Sequence, residues 1–227
     1  MQRKSRLALV SVTNKAGLDA LAPFLAKRGW RFLASGGTAE HLRKVGVEVI
    51  DMADWLTNSF VRQARFAQIA DFSRPRNLLA AQVSEALPFG QLFGGRVKTL
   101  SREKSAALLV PLAQAEKNAD LERMGIEPIE MVVLNYYTLL AATQEPDATV
   151  EAVVEKMDIG GPGATLEAIK GNRIVLCNPA DYEQLMAEMN EAGDISDELR
   201  AQLRLKAIEL VAGYYRPLAE FLAKQAN

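Results

Sequence analysis

The sequence predicts an α/β protein, a parallel sheet flanked by helices, and three observations carry that expectation. Apolar runs too short for helices alternate with stretches whose apolar residues recur three and four apart. Two of those runs lead straight through hydroxyl- and glycine-bearing turns into helical patterns, the strand–turn–helix order of a parallel sheet. A chain of 227 residues that is 49% hydrophobic and 24% charged can also bury one full core.

The elements follow in order. Residues 7–12 (Leu-Ala-Leu-Val-Ser-Val) read as a buried parallel strand, and after Thr13-Asn14-Lys15 a helix is carried by Leu18, Leu21, Phe24 and Leu25. Residues 30–34 form a second strand that ends at Ser35-Gly36-Gly37-Thr38, ahead of a helix holding Leu42. A third strand reaches Asp51. Residues 55–93 read as two helices broken near Ser73-Arg74-Pro75-Arg76, the first with an apolar stripe of Phe60, Val61 and Ala64. They form a lid, a dimer contact or a surface embellishment. Further on, the pattern predicts a helix over 120–125, a strand at 132–134, a capped helix over 146–156, a strand over 172–177 and a helix over 181–190. Residues 196–224 form a long amphipathic helix, with Leu199, Leu203, Ala207, Leu210 and Tyr214 at helical spacing. The whole chain, 1–227, reads as one domain with a helical insertion at about 53–93 and a helical C-terminal part at about 179–227.

Chemistry concentrates at the turns. Met157-Asp158-Ile159-Gly160-Gly161-Pro162-Gly163 sets a carboxylate beside paired glycines and a proline. Such glycines permit positive φ or a close approach to a ligand, and the proline fixes φ for a helix start whose free amides suit an anionic or polar group. Lys170 follows about 12 Å along that helix. A structural turn followed by a surface lysine is the alternative. The turns at 11–15 and 35–38 place hydroxyls and amides where a phosphate could sit, although Thr38 would serve equally as a helix cap. Gly94-Gly95-Arg96-Val97-Lys98-Thr99 offers an arginine fork and a lysine point charge, or simply a solvated basic turn. The strand at 131–137 ends in Asn135, Tyr136 and Tyr137, amide and phenol groups that are core or site.

Composition narrows the partners. A net charge of −1 gives no case for nucleic acid or membrane, and one cysteine excludes an internal disulfide framework. With one histidine, His41, read as exposed, and one cysteine, Cys177, read as a buried strand residue, no zinc site is expected. Without a signal peptide or an apolar run of about eighteen residues, the chain is expected to be cytoplasmic.

Taken in order, Ser11-Val12-Thr13-Asn14-Lys15, Ser35-Gly36-Gly37-Thr38, Arg96-Val97-Lys98-Thr99-Leu100, Asn135 with Tyr137, Asp158-Ile159-Gly160-Gly161-Pro162 and Lys170 resemble the IMP cyclohydrolase domain. That domain is the N-terminal half of the bifunctional AICAR transformylase/IMP cyclohydrolase of purine biosynthesis, with a methylglyoxal-synthase-like fold. The resemblance runs from about Leu7 to Tyr214-Tyr215. It implies closure of a formamidoimidazole carboxamide ribonucleotide to IMP and water, without metal or redox cofactor. Lys170, Lys98, Tyr137 and Asp158 match the groups around the reacting atoms. Ser11, Thr13, Asn14, Lys15, Ser35, Gly36, Gly37, Thr38, Arg96, Val97, Thr99, Asn135, Ile159, Gly160 and Gly161 match the purine-nucleotide-binding positions. The family implies a homodimer. With no room for the transformylase half, a separate formyltransferase protein becomes an expected partner.

The chain departs from the family pattern in several places. Ser101-Arg102 stands where the family has His-Pro, Tyr136 and Thr138-Leu139 interrupt its Asn-Leu-Tyr-Pro-Phe, Gly163 replaces a hydroxyl residue, Leu166 an arginine, and Gly171 an asparagine. Two alternatives follow: cyclisation of a related modified nucleotide in specialised metabolism, or a purine-nucleotide-binding module without turnover.

Overall fold

The computed structural model describes residues 6–66, 100–115 and 118–226. Five strands make one sheet in the order β3-β2-β1-β4-β5, and every neighbouring pair is parallel. They are β1 Arg6–Val12, β2 Trp30–Ala34, β3 Val49–Asp51, β4 Ile129–Asn135 and β5 Ile174–Leu176. Around them lie α1 Leu18–Ala26, α2 Gly36–Lys44, α3 Met52–Phe66, α4 Arg102–Leu109, α5 Leu112–Ala115, α6 Ala119–Met124, α7 Leu140–Thr143, α8 Val150–Glu155, α9 Gly160–Lys170, α10 Tyr182–Ala192 and α11 Asp197–Gln225. None of these helices is long and apolar enough to cross a membrane.

Side chains of β1 alternate between two cores, as a pleated strand requires. Ala8, Val10 and Val12 face a core built with α1, α2, α10 and the first half of α11. Leu7 and Leu9 face a second core with α3, α4 and α9. A third cluster packs Leu139, Ala142 and Val153 on Tyr214, Leu218 and Phe221 of α11. Because α11 has 29 residues and spans about 43 Å, it serves both the first cluster and the third.

Two arginines tie down the sheet away from the helix-bearing turns. Arg6 pairs with Glu130 at 2.8 Å and Asp194 at 3.1 Å, with its guanidinium over the Trp30 ring. Arg173 is buried and donates to the Ala107 and Val110 carbonyls at the end of α4. Burial lowers its pKa to about 10, and it still carries its charge at neutral pH.

Several expectations need correction. The helix expected over 146–156 spans only Val150–Glu155, because Thr149 Oγ1 accepts from Ala152 N and caps it there. Phe60 is exposed on α3, whereas Val61 is buried. On α11 it is Val211, not Leu210, that fills the stripe between Ala207 and Tyr214. His41 is not freely exposed: its Nε2 lies 2.6 Å from Asp19 Oδ1 and its side chain is 27% accessible. The expected second helix of the 53–93 segment lies outside the described residues.

Candidate functional site

The C-terminal ends of β1, β2 and β4 open onto a cleft of about 660 Å³. Loops at this edge of a parallel sheet, where neighbouring strands diverge to opposite sides, are where such folds bind ligands. Here β1 sits between β2, which follows it directly, and β4, which arrives after a long excursion. Ser11, Lys15 and the 35–38 turn supply one wall. Tyr137 and Asp158, Ile159, Gly160 and Gly161 supply the opposite one. Two turns far apart in sequence therefore converge on one space.

The first wall is fixed by a contact that sequence reasoning did not anticipate. Thr38 is 7% exposed, and its Oγ1 accepts from Val12 N at 3.3 Å and donates to Val12 O at 3.2 Å. It therefore does not cap α2. Ser35 holds the N-cap position without a side-chain bond, and α2 already begins at Gly36, whose φ of 53° suits glycine. Thr38 instead splices the end of β1 to the start of α2 and presents the amides of that helix start to the cleft. The first amides of a helix have no acceptor within it and carry a partial positive charge suited to an anion.

The second wall is a first turn of α9 closed by its own carboxylate. Asp158 Oδ1 accepts from Gly161 N at 3.0 Å, and Asp158 N donates to Tyr214 Oη at 2.7 Å. Neither Gly160 nor Gly161 uses a positive φ, contrary to one reading of the motif. Gly161 is required for space: an added Cβ would lie 2.7 Å from Tyr136 Cδ1 and 2.8 Å from Asp158 Oδ2. Behind this turn, the Tyr136 and Tyr214 rings meet edge-on at 4.9 Å, and Tyr214 meets Tyr215 at 5.0 Å. Burial, then the charge of Asp158, raises the Tyr215 pKa; burial raises that of Tyr214 as well. Tyr136 is therefore packing, whereas Tyr137 is 51% exposed and donates to Lys156 O at 3.1 Å.

Not every predicted residue lines this cleft. The Thr13 and Asn14 amides donate to Asn135 Oδ1 at 2.9 and 2.8 Å, and Asn135 Nδ2 donates back to Asn14 O at 2.9 Å. Those amides are spent on holding the loop. Thr13, Asn14 and Asn135 border an adjoining cleft of about 630 Å³ with Asn178 and Lys206, and Tyr137 stands between the two. Lys170, the last residue of α9, is exposed and does not line the main cleft. Its ten-residue offset from Gly160 corresponds to about 15 Å of helix. Arg96, Val97, Lys98 and Thr99 lie outside the described residues.

The sequence reading missed Lys104, which lines the cleft at 2% exposure and pairs with Glu167 at 2.9 Å. A signal was present: Lys104 shares a helical face with the buried Ala107 and Leu108, an uncommon place for a lysine. Among the described residues no group of three or more His, Cys, Asp or Glu side chains is placed to hold a metal.

A parallel α/β domain with a cleft at the carboxyl edge of its sheet is the class defined by this geometry. The chain belongs to the MGS-like domain family, which matches residues 17–163. It is 33% identical over 225 residues to the bifunctional purine biosynthesis protein PurH of Synechococcus sp. (strain CC9605), an alignment covering 97% of this chain and 37% of that protein. PurH of Ruminiclostridium cellulolyticum is 30% identical over 217 residues, covering 95% of this chain and 36% of that protein. The chain thus spans little more than a third of the length of these relatives. The crystal structure of ForH superposes with a TM-score of 0.68 at 28% identity, over 96% of this chain and 100% of that one.

Proposed function

We propose that this chain is a purine-biosynthetic cyclohydrolase that closes the six-membered ring of a formamidoimidazole carboxamide ribonucleotide to give IMP and water. The observation that carries the reading is the convergence, across one cleft, of the amide- and hydroxyl-rich turns around Ser11, Lys15 and 35–38 with Tyr137 and the Asp158–Gly161 turn. Similarity to PurH over nearly the whole chain supports it. The carboxamide nitrogen attacks the formyl carbon and a C–N bond forms. The former formyl oxygen takes up protons and leaves as water, while the carboxamide and formamido nitrogens each give up one proton.

The work left to the protein is positioning, proton transfer and stabilisation of charge on that oxygen. The phosphate lies against Lys15 and the start of α2. Asp158 accepts from the attacking amide, Tyr137 faces the reacting carbon, Lys98 enters on the family resemblance alone, and no cofactor takes part. Lys170 likewise enters on that resemblance alone. Its exposed position at the far end of α9 favours a second reading, a nucleotide-binding module without turnover. Absorbance change on incubation with the formylated ribonucleotide separates the two. Formation of IMP upholds the cyclohydrolase, and tight nucleotide binding without turnover upholds the module. Turnover of a modified analogue in preference to the purine precursor assigns the chain to specialised metabolism.

A further inference from the structure

The floor of the cleft holds a cation that the ring-closing scheme does not use. Lys104 projects from α4 and is 2% exposed; its ammonium lies 2.9 Å from Glu167 Oε2 of α9. Glu167 is held in turn by Ser105, whose hydroxyl donates to Oε1 at 2.7 Å. The chain just after α9 runs close against α4, since a Cβ on Gly171 would sit 1.9 Å from the Leu108 carbonyl oxygen. A carboxylate on the neighbouring helix, itself held by a hydroxyl of α4, therefore fixes this lysine.

An ammonium has three donors and Glu167 engages one side of it. Among the described residues Glu167 is its only charged partner. The group's charge is already balanced by Glu167, so a phosphate dianion placed there would meet a carboxylate of like charge, at a cost. A neutral carbonyl oxygen would accept from the spare donors without that cost. The same cleft is lined by Leu9, Leu100 and Ala164, apolar surface that fits a flat heterocycle better than a hydroxylated sugar.

On the nucleotide reading given above, we infer that Lys104 selects the ligand's base by donating a hydrogen bond to its carbonyl oxygen, the carboxamide oxygen of an imidazole or the ring oxo group of the closed product. Glu167 and Ser105 are positioning residues that act through Lys104. This differs from the role of the Asp158 turn, which faces the reacting carbon and nitrogen.

Titration calorimetry with inosine 5′-monophosphate and with purine riboside 5′-monophosphate, which lacks the oxo group, tests the assignment. The wild-type chain is expected to prefer the oxo nucleotide by about tenfold or more, because the analogue leaves a buried donor unpaired. Lys104→Met, similar in length and without charge, should bring the two within about twofold by weakening the oxo nucleotide alone. Glu167→Gln, which keeps the ammonium but loosens its anchor, should give an intermediate preference, and serves by itself if the methionine variant does not fold. Ser105→Ala should follow Glu167→Gln. Retention of the full preference in both Lys104→Met and Glu167→Gln, with melting curves like wild type, overturns the inference. Equal wild-type affinity for the two nucleotides also overturns it while leaving the nucleotide reading intact. Binding of neither removes both.

Discussion

Asp158 accepts the amide of Gly161 at 3.0 Å and so closes the first turn of α9, the helix it introduces. One carboxylate oxygen is committed to the backbone, and Asp158 is also a lining residue of the cleft. Scaffold and chemistry are thus separable within one side chain. Asp158→Asn keeps an oxygen for Gly161 and removes the negative charge. The expected result is a melting temperature within a few degrees of wild type and a fall in ring closure of about 10²–10⁴, the range of a proton-transfer group. Turnover within about threefold of wild type would confine Asp158 to the scaffold.

Phosphate recognition is expected from Lys15 and the start of α2, both on the same wall. Inosine 5′-monophosphate should bind at least tenfold more tightly than inosine, and Lys15→Ala should remove most of that difference without altering the affinity for inosine. The preference should also weaken as salt is raised, since exposed charges are screened. Equal calorimetric affinity for nucleotide and nucleoside would take the phosphate out of the scheme.

Lys170 offers a sharp test because its position and its resemblance-based role pull apart. If it transfers the proton, Lys170→Ala lowers kcat by about 10²–10⁴ with little change in nucleotide affinity. A lysine that only ends α9 on the surface leaves rates within about threefold, as exposed substitutions usually shift free energies by about half a kcal/mol or less. Steady-state kinetics on a substrate that the wild type turns over decides between them. Full activity in the variant passes the proton to Tyr137, Asp158, Lys98 or water.

Stability should decline at alkaline pH. Burial, then the nearby Asp181 charge, pushes the Cys177 thiol up to about 12, and burial, then Cys177 and Asp181, pushes the Tyr182 phenol up to about 12. An unfolded thiol releases its proton near about pH 8.5 and an unfolded phenol near about pH 10. The folded chain therefore holds more protons than the unfolded one between roughly pH 9 and 12, and stability falls as pH rises through that window. The urea midpoint should be lower at pH 10.5 than at pH 8, and Cys177→Ala should flatten part of the slope. A midpoint that does not change with pH would contradict this.

A homodimer is expected from the family resemblance and from α11, which leaves Leu205 57% and Ile208 41% exposed one helical turn apart. An interface of about 2,000 Å² or more would be of the permanent kind. Light scattering at micromolar concentration should return twice the chain mass, and a 24.9 kDa particle would rule the dimer out.

What could be read from the sequence was what local pattern encodes. The run at 7–12 and the strand at 30–34 announce themselves as buried strands because every second residue, or nearly every residue, must leave water. The long C-terminal helix is legible from its apolar spacing, and its start is fixed by Ser196, whose hydroxyl accepts from Leu199 N only three residues away. The contacts that assemble the site are of another kind. Thr38 on Val12, Asn135 on the 13–14 loop, Tyr214 on Asp158 and Glu167 on Lys104 each join segments whose proximity exists only after the sheet and its helices have formed. A threonine at 38 suits a helix cap as well as a splice, and no local rule separates the two. The glycine at 161 illustrates the same limit: the residue type was legible as a spatial demand, but the demand comes from Tyr136, a neighbour just past the end of β4, and from Asp158.

The loop hydrogen bond from Thr13 to Asn135 joins residues 122 positions apart, and the cleft lies beside that seam. Pairings of such sequence separation are the slow ones to form, because the intervening chain must first be ordered. One wall of the cleft belongs to the opening third of the chain and the other to its later half. A ligand that touches both would act as a rivet across the junction. Its occupancy would report that the chain has completed its assembly, and saturating nucleotide would guard the β1–β4 seam against opening more than any other part of the sheet.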